Sequence, residues 1–348
     1  MLDDRTPEDQ VFELINGFRA SQLIALAADL NLADLIAEGP KTAAALARAI
    51  GTHEPSIERM LGGLCALGVF TEDDHGRFHE TPLSACLRSG RRLYALARML
   101  PREGAAAFAQ LAYSVRTGKP AYEVVHGKPR FEHLAEDADA ADRFNSAMAV
   151  QAEIDARALS DATDLSTVST LVDVGGGRAA LMATALANHP RMQGVVVDLA
   201  AGLDGAKEQL EASGVTDRCR LVEESFFEKV PTGGDAYVLR HILHDWDDAR
   251  AGEIVAVVAR AMAPGARLLI IERLRPTRYQ ANPADLRTAM ADLQMLVVLG
   301  GRERTEEEFG ALLAPAGLKL TRKTPLPSGT WVLEAQAIGS PGVTNRDS

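Results

Sequence analysis

The sequence predicts an α/β protein with a doubly wound, mainly parallel sheet behind a smaller, mainly helical N-terminal domain. From residue 169 onward, apolar strand-like runs alternate with amphipathic helices, the pattern of a parallel sheet covered on both faces. The first 100 residues instead show helical periodicity and one hairpin pattern. The chain of 348 residues is also long enough for two domains.

Residues 1–100 are predicted to form a winged-helix-like domain. Thr42 is a suitable N-cap for a short helix that would end at Gly51. Pro55 opens the next helix, whose apolar residues recur at i, i+3, i+4 and i+7. The segment VFTEDDHGRFHET then has the pattern of two strands joined by a tight turn. Helix, turn, helix and hairpin together are typical of a winged helix.

The charge balance disfavours DNA as the partner of that domain. Residues 1–100 contain 10 Lys and Arg against 14 Asp and Glu, and the whole chain has a net charge of −11. Binding to DNA phosphates requires clustered positive charge on the protein, and binding to an anionic membrane surface requires it as well. We therefore expect no nucleic-acid or membrane partner and a structural or dimerising domain. A winged-helix transcriptional regulator is the least favoured hypothesis.

The cysteines and termini predict a cytoplasmic protein. Cys65, Cys86 and Cys219 have neither metal-ligand nor redox spacing, as expected of reduced thiols. The acidic start, MLDDRTPEDQ, is unlike a secretory signal. The longest apolar runs are shorter than the roughly 18 residues that a membrane span needs.

The remaining chain is predicted to comprise three parts. Residues 101–165 would form a helical linker that contributes to the substrate pocket. Residues 166–338 would form a Rossmann-like catalytic domain, with strands in TLVDVG, GVVVDL, RCRLVEE, DAYVLRHIL and RLLIIERL and an antiparallel pair, LKLTRKT and TWVLEAQ, at the end. Residues 339–348 would form a disordered tail.

A glycine loop after the first strand of this sheet predicts a nucleoside cofactor. Gly175 and Gly177 let the backbone approach a ligand, and Asp198 ends the next strand, where a carboxylate can bind both ribose hydroxyls. With Ala180 the loop also fits the dinucleotide motif G-x-G-x-x-A, so NAD is an alternative. Two features favour S-adenosylmethionine: Asp173 can offset its positive charge, and 168 residues precede this unit, whereas NAD enzymes usually start with it.

The fourth strand leads into the segment Arg240–Asp248, RHILHDWDD, which predicts acid–base chemistry. A histidine at a strand tip is a suitable general base, and an adjacent carboxylate would orient it. His241 and His244 could alternatively bind a metal. Their i, i+3 spacing on a strand-to-loop segment is expected to point them apart, so no metal is predicted. Asp247 and Asp248 are predicted to cap the following helix.

Taken together, DVGGG, the Asp198 strand tip, LRHILHDWDD and GGRERT resemble the S-adenosylmethionine-dependent O-methyltransferases. This family includes plant caffeate and hydroxyindole enzymes and bacterial antibiotic-tailoring enzymes. The similarity extends over nearly the whole chain. It implies methyl transfer from S-adenosylmethionine to a hydroxyl of a small aromatic molecule, S-adenosylhomocysteine as the product, and an intertwined homodimer built from the N-terminal domain.

The resemblance also implies roles for individual residues. His244 corresponds to the catalytic base, and Glu272 and Glu303 to the glutamates that bracket it. Cofactor binding is assigned to Asp173, Gly175, Gly177, Asp198, Leu199, Ser225, Phe226 and Arg240. The substrate pocket is assigned to Phe144, Met148, Asp245 and Met295.

The chain departs from the family pattern after the third strand. Family members have Gly-Asp there, with the Asp on the adenine side of the cofactor, whereas this chain has Glu224-Ser225-Phe226. Either Ser225 or Glu224 would replace that Asp. A second hypothesis changes the reaction, because some members keep the cofactor but hydroxylate or decarboxylate instead. The intact set of His244, Glu272 and Glu303 favours methyl transfer.

Overall fold

The computed structural model describes residues 6–338 and divides after Ala105 into two compact units. The predicted disordered tail, residues 339–348, lies outside the described residues. No helix of the described residues is long and apolar enough to cross a membrane.

The N-terminal unit is mainly helical. Its helices are α1 (Pro7–Asp29), α2 (Leu32–Ala37), α3 (Ala43–Ile50), α4 (Glu54–Ala66), α5 (Pro82–Ala85) and α6 (Arg92–Phe108), the last of which runs into the second unit. The two residues predicted to begin and end α3 cap the helix as expected. The Thr42 hydroxyl accepts a hydrogen bond from the Ala45 amide, and Gly51 ends the helix in the left-handed conformation.

Three short strands complete this unit as a winged-helix-like fold. They are β1 (Lys41–Thr42), β2 (Phe70–Glu72) and β3 (Arg77–Glu80), and they pair antiparallel in the order β1-β3-β2. Leu46, Leu61, Leu64, Phe70 and Phe78 form the centre of the core between the helices and this sheet.

The second unit begins with helices that precede its sheet and continues with helices that cover it. They are α7 (Leu111–Thr117), α8 (Ala121–His126), α9 (Arg130–Glu136), α10 (Ala138–Ala162), α11 (Ala180–Asn188), α12 (Ala200–Leu203), α13 (Ala206–Ala212), α14 (Asp248–Ala261), α15 (Pro283–Val298) and α16 (Glu306–Leu313). Asp247 caps α14 through the Arg250 amide, as predicted, whereas Asp248 is the first residue of the helix and pairs with Arg304.

The sheet of this unit has seven strands. They are β4 (Thr170–Val174), β5 (Gln193–Asp198), β6 (Cys219–Glu223), β7 (Ala236–Arg240), β8 (Arg267–Glu272), β9 (Leu318–Pro325) and β10 (Trp331–Ala337). The order is β6-β5-β4-β7-β8-β10-β9, with the first five strands parallel and the last two joined antiparallel. The predicted α/β fold class, including the antiparallel pair at the sheet end, is confirmed.

Alternation along the strands gives the sheet two apolar faces. Leu171 and Val238 pack in one core with α10, α11 and α13, whereas Val172 and Leu239 pack in the other with α14 and α16. Because both faces are covered, polar groups of the strands gather at the carboxyl edge. Asp173, Asp198, Arg240 and Glu272 all lie there.

Candidate active site

The glycine loop follows β4 and has backbone geometry that requires glycine at its first position. Gly175 has a φ of +73° and Gly177 a φ of +52°, in the left-handed region that side chains disfavour. A β-carbon on Gly175 would overlap the Ile242 side chain and press on Phe226. A glycine at position 175 therefore leaves the backbone open to close approach by a ligand.

Asp198 ends β5 beside that loop. Its two carboxylate oxygens accept hydrogen bonds from the amides of Gly177 at 2.8 Å and Leu199 at 2.7 Å. Each oxygen keeps a second lone pair, so the carboxylate is fixed yet able to accept two ribose hydroxyls. Burial raises the pKa of Asp198 above its usual range. The hydrogen bonds from the two amides act in the opposite direction but do not outweigh burial. The prediction of a ribose-binding acid fits this geometry.

A second buried carboxylate, Asp173, lies under the loop. Among the described residues, its Oδ2 has no hydrogen-bond partner, and burial raises its pKa to about 7 although Arg240 opposes the shift. Two buried carboxylates favour a cationic ligand over a pyrophosphate. The loop's Arg178 is turned toward Asp142, Ser146 and Asp204 and does not face the loop. The site therefore fits S-adenosylmethionine better than NAD.

Asp173→Asn tests this charge argument. Because the folded-state pKa is about 7 and the ordinary value 3.8, the ligand-free protein loses stability as pH rises from 4 through 7. We expect the neutral variant to unfold at a higher temperature than the wild type at pH 8, a difference that disappears near pH 4. We also expect it to bind S-adenosylmethionine more weakly, since the cation loses its carboxylate. Thermal unfolding and calorimetric titration check both.

Asp161 on α10 is exposed, so Asp161→Asn is the matched control for the loss of one acidic group and should leave S-adenosylmethionine affinity unchanged. Unchanged S-adenosylmethionine affinity in Asp173→Asn at pH 8 would contradict a charge-compensating role for Asp173.

Arg240, at the end of β7, faces away from solvent and toward α10. Its Nε donates to Oδ2 of Asp155 at 2.8 Å, and Asp155 is fully buried. Burial would raise the pKa of Asp155, but His241 and Arg240 hold it well below its usual range. Asp155 was missed by the sequence analysis. The available signal was a carboxylate on the apolar face of α10, where Ala152, Ala156 and Leu159 are its buried neighbours.

His244 lies in a short 3-10 turn, Leu243–Asp245, that follows β7. Its Nδ1 is 3.1 Å from Oε1 of Glu303 and 3.2 Å from Oε2 of Glu272, and its Nε2 is 3.4 Å from Oδ1 of Asp245. Burial alone would lower the pKa of His244, but the three carboxylates outweigh it and raise it to about 10. The structure thus brings together the three residues assigned to catalysis.

Glu272, at the end of β8, holds both the imidazole and its backbone. Its Oε1 accepts hydrogen bonds from the amides of Ile242, Leu243 and His244. Burial would raise the pKa of Glu272, but His244 and His241 lower it to about 2. A charged carboxylate therefore fixes the turn that carries the histidine.

His241 does not point away from His244, so that part of the sequence prediction is wrong. The two rings are 5.1 Å apart, and ring nitrogens of both lie within 4.8 Å of a Glu272 oxygen and of each other. The reason is the left-handed conformation of His241, with a φ of +52°, which turns the chain back at the strand end. A cation would fit these dimensions, but His244 already pairs there with the carboxylates of Glu272 and Glu303. The absence of a metal stays a prediction.

Two further residues hold the His244 turn and were missed by the sequence analysis. The fully buried Arg304 donates to the carbonyl oxygens of Leu243 at 2.6 Å and Trp246 at 2.8 Å. Gly301 lies against the turn, and a β-carbon there would overlap the His244 carbonyl oxygen. Both belong to the GGRERT segment, from which only Glu303 was assigned a role.

Aromatic rings lie beside the His244 turn. Trp246 stacks on Phe131 with centroids 6.2 Å apart and meets Phe227 edge-on at 4.8 Å. Phe144, assigned to the substrate pocket, packs edge-on against Phe131 at 6.3 Å. Phe131 and Trp246 were not assigned from sequence, because α9 and the turn meet only in the folded chain.

The other residues assigned to the substrate lie on the surrounding elements. Met295 is buried on α15, and Met148 is half-buried on α10, one turn after Phe144. Asp245 is mostly buried, and burial raises its pKa to about 6 although His244 opposes the shift.

A nucleoside-binding sheet edge next to a carboxylate-held imidazole defines an enzyme that transfers a group from a nucleoside cofactor. Two family models match this chain: an O-methyltransferase domain over residues 108–319 and an O-methyltransferase dimerisation domain over residues 12–90. The chain belongs to the O-methyltransferase family.

Individual relatives agree with this assignment. The chain is 37% identical to the mitomycin biosynthesis 6-O-methyltransferase of Streptomyces lavendulae, over 92% of each chain. It resembles the solved O-methyltransferase NcsB1 from neocarzinostatin biosynthesis, in complex with S-adenosylmethionine and 2-hydroxy-5-methyl naphthoic acid, with a TM-score of 0.78 and 34% identity. That match covers 92% of this chain and 96% of the other. A relative with another activity is aclacinomycin 10-hydroxylase RdmB of Streptomyces purpurascens, 33% identical over 90% of this chain and 86% of its own.

These comparisons confirm the predicted class of enzyme, an S-adenosylmethionine-dependent O-methyltransferase. The roles of individual site residues stay predictions.

Proposed function

We propose that this enzyme methylates a hydroxyl oxygen of a small aromatic acceptor and that His244 removes the hydroxyl proton. The observation that carries the proposal is the orientation of the imidazole. Carboxylates of Glu303 and Glu272 face Nδ1, so we assign the acceptor to Nε2, whose neighbour is Oδ1 of Asp245 at 3.4 Å. Nε2 also points to the side of Asp245, in the same turn as the aromatic Trp246.

A phenol has a pKa near 10 and is a weak nucleophile until it loses its proton. The neutral form of His244, which the raised pKa makes the minor form at neutral pH, takes this proton on Nε2 while the acceptor oxygen forms its bond to the methyl carbon. S-adenosylmethionine, when bound, supplies the methyl group on a sulfonium, and the carbon–sulfur bond breaks with its electron pair going to sulfur. Glu272 and Glu303 stabilise the imidazolium that results. The remaining task of the protein is to align oxygen, carbon and sulfur.

The aromatic cluster supports an aromatic acceptor. Phe131, Phe144 and Trp246 offer flat apolar surfaces next to the turn that carries His244. Aromatic pairs favour stacked or edge-on geometry, which a planar acceptor can extend. Met148 and Met295 would adapt to its outline, since methionine side chains fill irregular gaps. The naphthoic acid bound by the similar NcsB1 belongs to the same chemical class.

Cofactor binding is proposed for the loop and the strand ends. Gly175, Gly177 and Leu199 would approach S-adenosylmethionine through the backbone, and Asp198 would bind the ribose. Asp173 would face the methionine part together with the Nη2 of Arg240, which has no hydrogen-bond partner among the described residues although the Nε of Arg240 is paired with Asp155. On the adenine side, the Ser225 hydroxyl accepts from the Phe227 amide at 3.3 Å and can still donate its proton. The Glu224 carboxylate accepts a hydrogen bond from the Ser225 amide at 3.3 Å. We assign Ser225 the polar contact and Phe226 the stacking contact with adenine.

The match to a dimerisation domain supports a homodimer. Val11, Phe12, Leu14, Ile15 and Phe18 of α1 are more than half exposed within one chain and offer an apolar surface for a partner. An intertwined arrangement and a cytoplasmic location are parts of this proposal.

Product analysis tests the reaction. With methyl-labelled S-adenosylmethionine and a set of phenolic acceptors, we expect S-adenosylhomocysteine and a labelled methyl ether in equal amounts. An acceptor that gains oxygen or loses carbon dioxide while S-adenosylmethionine stays intact would instead establish the second hypothesis, which the similarity to RdmB keeps open.

A further inference from the structure

Arg178, which follows the three glycines of the cofactor loop, connects three segments of the chain. Its Nη2 donates to Oδ1 of Asp142 at 3.0 Å and its Nη1 to the hydroxyl of Ser146 at 3.1 Å, both on α10. Its Nε donates to the carbonyl oxygen of Asp204 at 3.1 Å, in the turn between α12 and α13. One guanidinium therefore joins α10 and this turn to the loop.

The surroundings of Arg178 fix its side chain. Gly205, in the same turn, has a φ of +80°, and the Arg178 Nε lies 3.4 Å from the place that a β-carbon there would take. The Arg178 side chain is 20% exposed, whereas that of Asp142 is 62% exposed. An exposed ion pair alone stabilises little. The arrangement instead depends on the planar fork of the guanidinium, which points several donors in fixed directions at once.

The segments that Arg178 connects lie around Asp198, the proposed ribose-binding residue. The amide of Gly177, the neighbour of Arg178, donates to Oδ2 of Asp198 at 2.8 Å. A β-carbon on Gly202 of α12 would overlap the Asp198 carboxylate, so this helix packs directly against it. The positions of the loop and of α12 relative to Asp198 therefore depend on contacts that Arg178 completes.

The N-terminal half of α10 has little other polar attachment to this region. Among the described residues, one further hydrogen bond joins residues 138–150 to the loop or α12, from Nδ2 of Asn145 to the carbonyl oxygen of Ala201. Its length of 3.5 Å makes it weak. Arg178 thus makes the two shorter of the three hydrogen bonds that hold this half of α10 beside the cofactor loop.

We propose that Arg178 is a positioning residue that holds α10 and the turn after α12 around Asp198 and thereby slows the release of the bound nucleoside, S-adenosylmethionine or S-adenosylhomocysteine. This inference rests on the proposed binding of the cofactor at Asp198. The guanidinium acts through the segments that it joins, because its donors face α10 and Asp204. Without these bonds the segments separate more easily, and a bound nucleoside leaves sooner.

Arg178→Gln tests the proposal through the release of S-adenosylhomocysteine. Glutamine has one amide group in place of the fork, so it cannot donate to α10 and Asp204 together. We expect the dissociation rate in stopped-flow displacement to rise about tenfold, roughly the worth of one hydrogen bond to a charged group. The association rate should change little, as is usual among variants of one site. The KM for S-adenosylmethionine should rise, and kcat at saturation should not fall. An unchanged dissociation rate would overturn the proposal.

Two further variants distinguish this role from general damage to the fold. Arg157, on the same helix, is exposed and pairs with Glu153 at 3.9 Å, so Arg157→Gln is the matched control and should release the nucleoside at the wild-type rate. Asp142→Ala should speed release in the wild type but add little to Arg178→Gln, because the bond is already lost there. Fully additive effects would contradict a connection between the two residues. Thermal unfolding establishes that Arg178→Gln is folded, and Asp142→Ala combined with Ser146→Ala repeats the test if it is not.

Asp198→Ala separates this inference from the proposed cofactor site. We expect calorimetric titration of this variant with S-adenosylhomocysteine to show the loss of most affinity. That loss, together with wild-type release from Arg178→Gln, would overturn the inference and leave the site intact. Full affinity in Asp198→Ala would overturn the proposed site and the inference with it.

Discussion

Replacing His244 by alanine is expected to lower kcat by about 10²–10⁴-fold, the usual contribution of a general base. S-adenosylmethionine binding should be retained, because the loop residues and Asp198 that are proposed to hold the cofactor lie on other strands. Single-turnover kinetics and calorimetric titration check the two parts separately. Alanine at the exposed His75 is the control for loss of an imidazole. Turnover of His244→Ala at the wild-type level would instead show that the enzyme acts by aligning the reacting atoms, without a general base at this position.

The same variant is expected to lose stability in a pH-dependent way. The pKa of His244 is about 10 in the folded protein against an ordinary value of 6.5. The ion pairs of the protonated ring therefore stabilise the fold fully below pH 6.5, and this stabilisation is lost as the pH rises toward 10. We expect the difference in Tm between His244→Ala and the wild type to shrink over that range. A constant difference would contradict the protonated resting state of the ring.

Gly301→Ala is expected to abolish most activity and to destabilise the protein by more than about 1–3 kcal/mol, the usual cost of overpacking. The new β-carbon would overlap the carbonyl oxygen of His244 and crowd Asp245. The Arg302 amide donates to the same carbonyl oxygen at 2.9 Å, so a displaced turn would also lose this bond. Backbone atoms cannot rotate away as a side chain can, and the imidazole would move with the turn.

Gly310→Ala is the matched control for this substitution. Gly310 lies within α16, and a β-carbon there meets nothing within 4 Å. Alanine is a better helix former than glycine by about 1 kcal/mol, so the control should be neutral or stabilising. We expect chemical unfolding to give a lower free energy of unfolding for Gly301→Ala than for the wild type, and an equal or higher one for Gly310→Ala. Normal stability and kcat in Gly301→Ala would show that the turn tolerates displacement.

Much of the fold was predictable because its signals are local. The caps at Thr42 and Gly51, the alternation of strands with helices, and the glycines after β4 each depend on residues close in sequence. The match of HDW and GGRERT to one family likewise needed no tertiary contact, and the family and fold class that it implied are confirmed.

The site was predictable only in part. Asp173, Asp198, Arg240 and Glu272 could be assigned to one edge because parallel strands end together. His241 was placed wrongly, since strand-to-loop geometry ordinarily separates i and i+3 and the positive φ of this residue was not foreseen. Asp155 was missed because its partners lie about 85 residues away in the chain.

The sequence by itself determined the order of elements, the cofactor loop, and the identity of the residues offered to catalysis, because backbone conformation and strand-end placement follow from local pattern. Only the tertiary structure decided the charge of the site. His244, Asp155 and Glu272 come from separate elements, and the pKa of each depends on charged partners about 3 to 4 Å away, at distances that only packing sets.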